Sequence, residues 1–298
     1  AAVRVIEFEP LAAPLGAFVR DFDPAATPSS EFVDLLAEGL QSHAVLVFRS
    51  HDAKNGVISP AQLVQLGRAF GELEILPEPD KRHPDHAEIF NLSNVRPDGN
   101  LVEVDEPQAV FLRGTQRWHT DSSFREIPAL CTMLYAVEVP NQGGQTQFAD
   151  MRRAFSLLPT EERAEIDELR LVHSYEYSRG NNPGRMEPMS DEERAKYPPV
   201  EHRWVRRNGD GSKSLYMGGH ASHIVDQDLA NSRERFAQIE AQLSVHDVVY
   251  EHQWQVNDLV VWDNRTTLHR LLGYDIANER RVMRRITVAG SPADWNDD

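Results

Sequence analysis

DLVVWDNRTTLHR, residues 258–270, decides the fold. It reads as an apolar strand, a polar turn and a second extended stretch that carries His269. Similar strand-like runs lie upstream and downstream: EIFNLSNV, ALCTMLYAVEV, TQFADM, LRLVHSY, SLYMGG, VVYEHQW and VMRRITVAG. Helical patterns interrupt them only at DMRRAFSLL, PTEERAEIDEL and SRERFAQIEAQL. Many short strands with few helices predict a sandwich or barrel rather than alternating βαβ units. The expected fold is mainly β with flanking helices, a cupin-like jelly roll or double-stranded β-helix.

Towards the N-terminus the pattern is helical. SSEFVDLLAEGLQ (29–41) has hydroxyl caps and apolar residues at helical spacing, and it leads into the strand-like HAVLVFRS. SPAQLVQLGRAFG (59–71) offers Ser59 as N-cap, Pro60 at the first helical position and Gly71 past the last turn. Both helices are expected to brace the sheet. Residues 74–90, with three prolines and two histidines, read as a long loop. With no internal repeat and no low-complexity linker, one domain over 1–298 is expected.

Composition narrows the function classes. The 298 residues are 40% hydrophobic and 26% charged, the balance of a globular chain with a core to bury. The longest apolar runs, AVLVF and LVVW, fall far short of the roughly 20 residues that cross a bilayer, so no membrane partner is expected. AAVRVIEFEP lacks the basic segment and apolar core of a secretory signal, which predicts a cytoplasmic protein. The single cysteine, Cys131, excludes an intramolecular disulfide framework and reads as a buried, inert thiol. A net charge of −16 argues against a nucleic-acid partner, because such binding draws on Lys and Arg to neutralise phosphates. Any anion held by so acidic a chain needs a local concentration of arginine. A homo-oligomer is expected.

The candidate chemistry sits in WHTDSSF (118–124). In an extended segment His119 and Asp121 share one side and Thr120 takes the other, so two metal-capable groups face one point. Alone, the pair also reads as an exposed dipeptide on a sheet edge, and His269 alone as a hydrogen-bonded core histidine. Together the three supply two imidazoles and one carboxylate. That set can occupy one face of six-coordinate Fe(II) and leave positions for other ligands. Zinc accepts the same groups, so the metal is left open at this point.

These stretches, with LSNVRPDG (92–99), GGQTQFADMRRAF (143–155), GGHASHI (218–224) and RRVMRRIT (280–287), resemble the Fe(II)/2-oxoglutarate-dependent dioxygenases of the taurine dioxygenase/TfdA family, and most closely the 2,4-dichlorophenoxyacetate dioxygenase branch. The match runs in order from about residue 40 to 290. The resemblance implies His119, Asp121 and His269 as iron ligands. It also implies Thr146, 27 residues after His119, and Arg281, 12 residues after His269, as the holders of the distal carboxylate of 2-oxoglutarate. A planar guanidinium with a hydroxyl beside it suits that clamp chemically.

Within RRVMRRIT, strand parity puts Arg281 and Arg285 on one side, roughly 13 Å apart at about 3.3 Å per residue. The resemblance gives the second arginine the acidic group of the primary substrate, so Arg285 is the expected substrate anchor in a cavity shared with Arg281. His220 and His223 of GGHASHI are further substrate-binding candidates. Lys81 and Arg82 are candidates to close over the anion from the long loop. Trp118, Trp254 and Trp262 read as core. The implied reaction consumes O2, converts 2-oxoglutarate to succinate and CO2, and hydroxylates a small anionic organic acid. On an aryloxyalkanoate it would end in ether cleavage to a phenol. A sulfonate, sulfate ester or aliphatic acid is the alternative substrate, and a non-enzymatic metal-binding jelly roll is the alternative of another class.

Overall fold

The computed structural model describes residues 6–20, 28–49, 57–76, 78–182 and 188–295; the first five residues of the N-terminal stretch read above lie outside these. In chain order the strands are β1 (Glu7–Pro10), β2 (Ala17–Arg20), β3 (Val45–Phe48), β4 (Phe90–Ser93), β5 (Ala129–Glu138), β6 (Thr146–Asp150), β7 (Arg170–His173) and β8 (Val200–Arg203). They continue with β9 (Val205–Arg207), β10 (Lys213–Leu215), β11 (Ala221–Ile224), β12 (Val249–His252), β13 (Leu259–Asp263), β14 (Thr267–Leu271) and β15 (Val282–Ala289).

A seven-stranded sheet in the order β1-β2-β3-β13-β5-β15-β4 faces a three-stranded sheet in the order β12-β6-β14. Pairing is antiparallel except between β2 and β3. This is the jelly roll expected from the strand pattern, and residues 258–270 supply a strand to each sheet. Side chains of the large sheet alternate between two cores, as a period of two requires. Val45, Val47, Leu134, Ala136, Val260, Trp262 and Met283 point inward and meet Phe148 of the small sheet. Leu46, Phe48, Cys131, Met133, Leu259, Val261, Ile286 and Val288 point outward, where helices α1 (Ser30–His43) and α2 (Pro60–Phe70) cover them. Cys131 is a buried free thiol there, as expected.

Both helices begin where their caps predict: Ser29 accepts from Phe32 N, and Ser59 and Gln62 form a reciprocal capping box with Pro60 at the first position. The small sheet turns its other face to a third core, built with Trp204 and the helix Leu229–Leu243. The described residues between 74 and 89 form the expected irregular connection, broken by one 3-10 turn at Pro79–Lys81. Among the described residues no helix is long and apolar enough to cross a membrane.

Helix α2 lies close on the sheet because Gly67 has no side chain: a Cβ there would stand 2.8 Å from Ile286 Cγ2 and 3.0 Å from Leu73 Cδ2. Gly67→Val should therefore destabilise the fold by about 1–3 kcal/mol through overpacking, read from the shift in urea midpoint. A gain in stability would mean that helix propensity outweighs the clash.

Candidate active site

His119 and His269 are brought together by the main chain. His119 N donates to His269 O at 3.0 Å and His269 N donates to His119 O at 2.9 Å, a single bridge that adds one residue of WHTDSSF to the edge of β14. The segment does not continue as a strand, contrary to the period-two reading. Asp121 opens a turn, and Ser122 takes a left-handed φ of 62°. Thr120 does point away from the pair, donating to Asn264 O at 2.8 Å. The carboxylate of Asp121 is aimed by the turn rather than by strand alternation.

The three donors nevertheless converge. Asp121 Oδ1 lies 3.5 Å from His269 Nε2 and 3.9 Å from His119 Nε2, and one ligand atom from each residue falls within 4.8 Å of the others. His119 Nδ1 sits 2.7 Å from Arg117 O, which fixes the proton on Nδ1 and leaves the Nε2 lone pair facing the cluster. Burial lifts the Asp121 carboxyl, but His269, Arg285, His119 and the Thr132 hydroxyl together hold it down at about 2. Burial, with His119 beside it, lowers His269 to about 3, and burial lowers His119 as well. One carboxylate and two neutral imidazoles are the forms that coordinate a divalent cation.

Behind this cluster lie the expected cosubstrate residues. In β6, Thr146 is two residues from Phe148, whose ring packs 6.2 Å from that of His269, so Thr146 shares the face on which the cluster stands. Its Oγ1 accepts from Trp254 Nε1 at 2.9 Å, leaving its own hydrogen free to donate. Arg281 is 3% exposed and, among the described residues, its Nε has no hydrogen-bond partner; its guanidinium stands 6.0 Å from the centre of the Tyr274 ring. Burial pushes it down to about 10, with only Tyr274 opposing. The GG turn makes room for it. Gly144 has a φ of +73°, and a Cβ there would lie 3.3 Å from Arg281 Cδ and Nε. A buried guanidinium without an acid is costly unless an anion joins it, so the donor set fits a bound carboxylate as the histidines and Asp121 fit a metal.

Arg285 is placed differently from expectation. It lines an open cavity with His119 and Asp121, whereas neither Arg281 nor Thr146 is among the lining residues. Arg281 is instead sealed behind the GG turn. In the cavity, Arg285 stacks its guanidinium 4.7 Å from the centre of the Phe90 ring. Among the described residues it has neither an ion-pair partner nor a hydrogen-bond partner for its Nε. Lys81 also lines the cavity, with Nζ 4.0 Å over the Phe111 ring. Arg82 does not, being tied to Leu76 O. His220 lines the cavity with its Nδ1 2.7 Å from Ser178 Oγ, and burial lowers it to about 3. His223 lies outside, paired with the hydroxyl of Ser222 on β11.

Sequence reasoning missed the aromatic wall. Phe124 packs against Tyr175 at 4.8 Å, His220 at 5.0 Å and Tyr197 at 5.6 Å, and all four line the cavity. Phe124 directly follows the metal-ligand turn and could have been found there; Tyr175 and Tyr197 come from segments without a motif. Trp254, read only as core, is the donor to Thr146. Glu74 also escaped notice. It accepts from Ser122 Oγ at 2.7 Å and faces Arg125 at 3.6 Å, so it braces the turn from behind. Burial raises its carboxyl, with Arg125 and Ser122 opposing.

A jelly roll that gathers two imidazoles, one carboxylate and a carboxylate-seeking arginine defines a mononuclear non-haem oxygenase using a keto acid. Over residues 7–287 the chain matches the family described as taurine catabolism dioxygenase TauD, TfdA family, and it belongs to that family. It is 35% identical over 288 residues to the alpha-ketoglutarate-dependent 2,4-dichlorophenoxyacetate dioxygenase of Cupriavidus pinatubonensis, covering 94% of this chain and 96% of that protein. It is 33% identical to the (S)-phenoxypropionate/alpha-ketoglutarate-dioxygenase of Sphingobium herbicidovorans, covering 96% of each. Among solved structures, AAD-2 in complex with Mn(II) and N-oxalylglycine matches with a TM-score of 0.84 at 34% identity, over 96% of this chain and 98% of that one. The chain is thus a 2-oxoglutarate-dependent dioxygenase that uses Fe(II) and O2.

Two outcomes follow from this geometry. His119→Ala should abolish turnover and the anaerobic charge-transfer absorption of Fe(II) with 2-oxoglutarate; retention of both would remove His119 from the metal. Arg281→Ala should raise the 2-oxoglutarate KM by at least about tenfold more than the KM of the primary substrate. Equal effects on the two would separate Arg281 from the cosubstrate.

Proposed function

We propose that the protein hydroxylates an aryloxyalkanoate acid at the carbon bearing the ether oxygen, and that this cleaves the ether. The observation that carries the reading is the cavity beside His119 and Asp121, where Arg285, without an ion-pair partner among the described residues, opens onto an aromatic wall. In the same reading His119, Asp121 and His269 hold Fe(II), while Arg281 and Thr146 hold the distal carboxylate of 2-oxoglutarate. Names of the relatives, which act on 2,4-dichlorophenoxyacetate and (S)-phenoxypropionate, support an aryloxy acid.

When bound, Fe(II) with 2-oxoglutarate and O2 supplies the oxidising power that places a hydroxyl on an unactivated C–H bond, with succinate and CO2 released. The protein's own part is orientation and exclusion of water. Arg285, flattened on Phe90, presents the edge of its guanidinium to the substrate carboxylate. Phe124, Tyr175 and Tyr197 offer edges and faces to the aryl ring. The carbon between the carboxylate and the ether oxygen is thereby turned towards the metal ligands. Hydroxylation there gives a hemiacetal; the bond between the hydroxylated carbon and the ether oxygen breaks as the new hydroxyl becomes a carbonyl, and its proton ends on the aryl oxygen, to leave a phenol and a 2-oxo acid. His220, neutral and open to the cavity, is placed to exchange hydrogen bonds with the oxygens of this collapse. The balance of the cavity's cations fits a small organic anion. Arg125 and Arg179 are already paired with Glu74 and Glu193, and Arg117 donates to Ser178 O, which leaves Arg285 beside the metal candidates and Lys81 on the Phe111 ring for the ligand.

An oxygen-uptake screen across aryloxyalkanoates, sulfonates, sulfate esters and aliphatic acids, with phenol release measured in parallel, tests the substrate class. Arg285→Ala should weaken acid binding roughly 30- to 1000-fold, the loss of about 2–4 kcal/mol for one member of a shielded charge pair. Arg285→Lys should fall between it and wild type, since the charge stays and the fork is lost. Wild-type affinity in Arg285→Ala would put the anion elsewhere, with Lys81 the next candidate.

A further inference from the structure

The geometry points to Thr132 as a positioning residue that holds Asp121 as a single-oxygen ligand, with Trp262 setting the direction of the hydrogen-bond relay that makes it do so. The inference rests on the reading of His119, Asp121 and His269 as metal ligands and extends it to residues that touch no metal.

The relay runs through four buried side chains. Trp262 Nε1 donates to Asn264 Oδ1 at 3.1 Å, Asn264 Nδ2 donates to Thr132 Oγ1 at 2.8 Å, and Thr132 Oγ1 donates to Asp121 Oδ2 at 2.7 Å. Asn264 and Thr132 are fully enclosed, Trp262 nearly so. The fold supplies the juxtaposition: Trp262 of β13 and Thr132 of β5 are directly opposed cross-strand partners, and the turn after β13 returns Asn264 between them and WHTDSSF.

Polarity then follows from chemistry. An amide side chain can be flipped, and a hydroxyl can donate or accept, so neither alone has a fixed direction. An indole N–H only donates. Because it faces Asn264, the amide must present Oδ1 to Trp262. The backbone N–H of Asp121, 3.4 Å from the same Oδ1, asks for the same orientation. The amide nitrogen is therefore committed to Thr132, whose oxygen accepts and whose hydrogen must go to Asp121 Oδ2. That oxygen is occupied. Oδ1, the oxygen nearest both histidines, is left for the ion, and swinging to a two-oxygen mode would strip the buried hydroxyl of its acceptor. A carboxylate that takes one coordination position leaves one more for the keto acid and O2 than a carboxylate that takes two.

The test uses Co(II) as the probe in the full chain, by calorimetric titration and by its visible absorption, with circular-dichroism melting as the folding control. Thr132→Val keeps the volume and removes the hydroxyl. It should raise the Co(II) Kd about 10- to 100-fold and change the band positions and intensity, as loss of an outer-shell partner does. Thr132→Ser restores the hydroxyl and should return both towards wild type. Trp262→Phe should shift both in the same direction by less, because the Asp121 N–H, 3.4 Å away, is then the remaining group that orients the amide oxygen. A Thr132→Val protein with wild-type Kd and spectrum would overturn the proposal, as would a folded Thr132→Ser protein as impaired as Thr132→Val. Should Thr132→Val not fold, Trp262→Phe with unchanged Kd and spectrum would overturn it equally. His119→Ala separates the two layers: if it keeps wild-type Co(II) affinity the ligand assignment falls, and if it loses affinity while Thr132→Val does not, only the relay falls.

Discussion

Two reciprocal main-chain hydrogen bonds between His119 and His269 set the rest of the site. They join residues 150 apart in sequence at one rung, so two imidazoles leave adjacent backbones with ring centres 4.2 Å apart. Everything that follows is constrained by that distance. A carboxylate two residues after His119 can reach the same point only if the chain turns at once, and it does so through the left-handed Ser122. A left-handed serine is strained, and strain persists where surroundings enforce it. Here Glu74 holds the Ser122 side chain, His173 approaches Ser123 Oγ at 2.9 Å, and His202 Nε2 approaches the carbonyls of Ser123 and Arg125.

The arginines divide the anions by depth. Arg281 is enclosed, has no acid partner among the described residues, and leans on a glycine turn; Arg285, four residues on, is half-buried and opens into the cavity. Strand parity keeps both on the face of Met283, which belongs to the core between the sheets. Depth, not face, distinguishes them. A desolvated guanidinium gains most from a carboxylate that arrives first and is itself shielded, while one at a cavity wall can exchange ligands of different shape.

Much of this was legible in the residues. The caps of α1 and α2 are chemical statements about orphan N–H groups, and they located both helices. His119, Asp121, His269, Thr146 and Arg281 were legible as a candidate set because their types and order suit one chemistry, and the structure gathers the first three. What escaped depended on tertiary direction. Period-two reasoning put His119 and Asp121 on one strand face, whereas a turn and the Thr132 hydroxyl bring the carboxylate round. The same parity correctly paired Arg281 with Arg285 but could not see the GG turn that walls one off from the cavity. Trp254 read as core because an indole is mostly apolar, and its single N–H contact with Thr146 has no sequence signal. Tyr175 and Tyr197 meet Phe124 only through the packing of separate segments, so no local pattern announces the aromatic wall.

That division has a functional consequence. The candidate metal and keto-acid residues are held by the sheets: Thr146 stands on β6 and His269 on β14, Arg281 directly precedes β15, and His119 is bridged to β14 at the head of the turn that carries Asp121. The aromatic wall comes from outside: Tyr175 opens a short helix, Tyr175–Gly180, and Tyr197 follows another, Asp191–Lys196. Strand positions are fixed by ladder hydrogen bonds, on both sides for β6 and β15 and on one side plus the His119 bridge for β14, so a side chain moved there disturbs many partners. Helical connections carry fewer such constraints and change sequence at lower cost. Reaction type is accordingly built where the fold is stiff, and substrate choice where it is adaptable. Arg285 joins the two, since its backbone is locked between β5 and β4 while its guanidinium rests on Phe90 at the cavity wall. Under the proposed function, a change of aryl group can be met by repacking Phe124, Tyr175 and Tyr197, but a change of anion must be met at Arg285, on the strand that directly follows Arg281. The acid end of the substrate is the part this architecture is least free to alter.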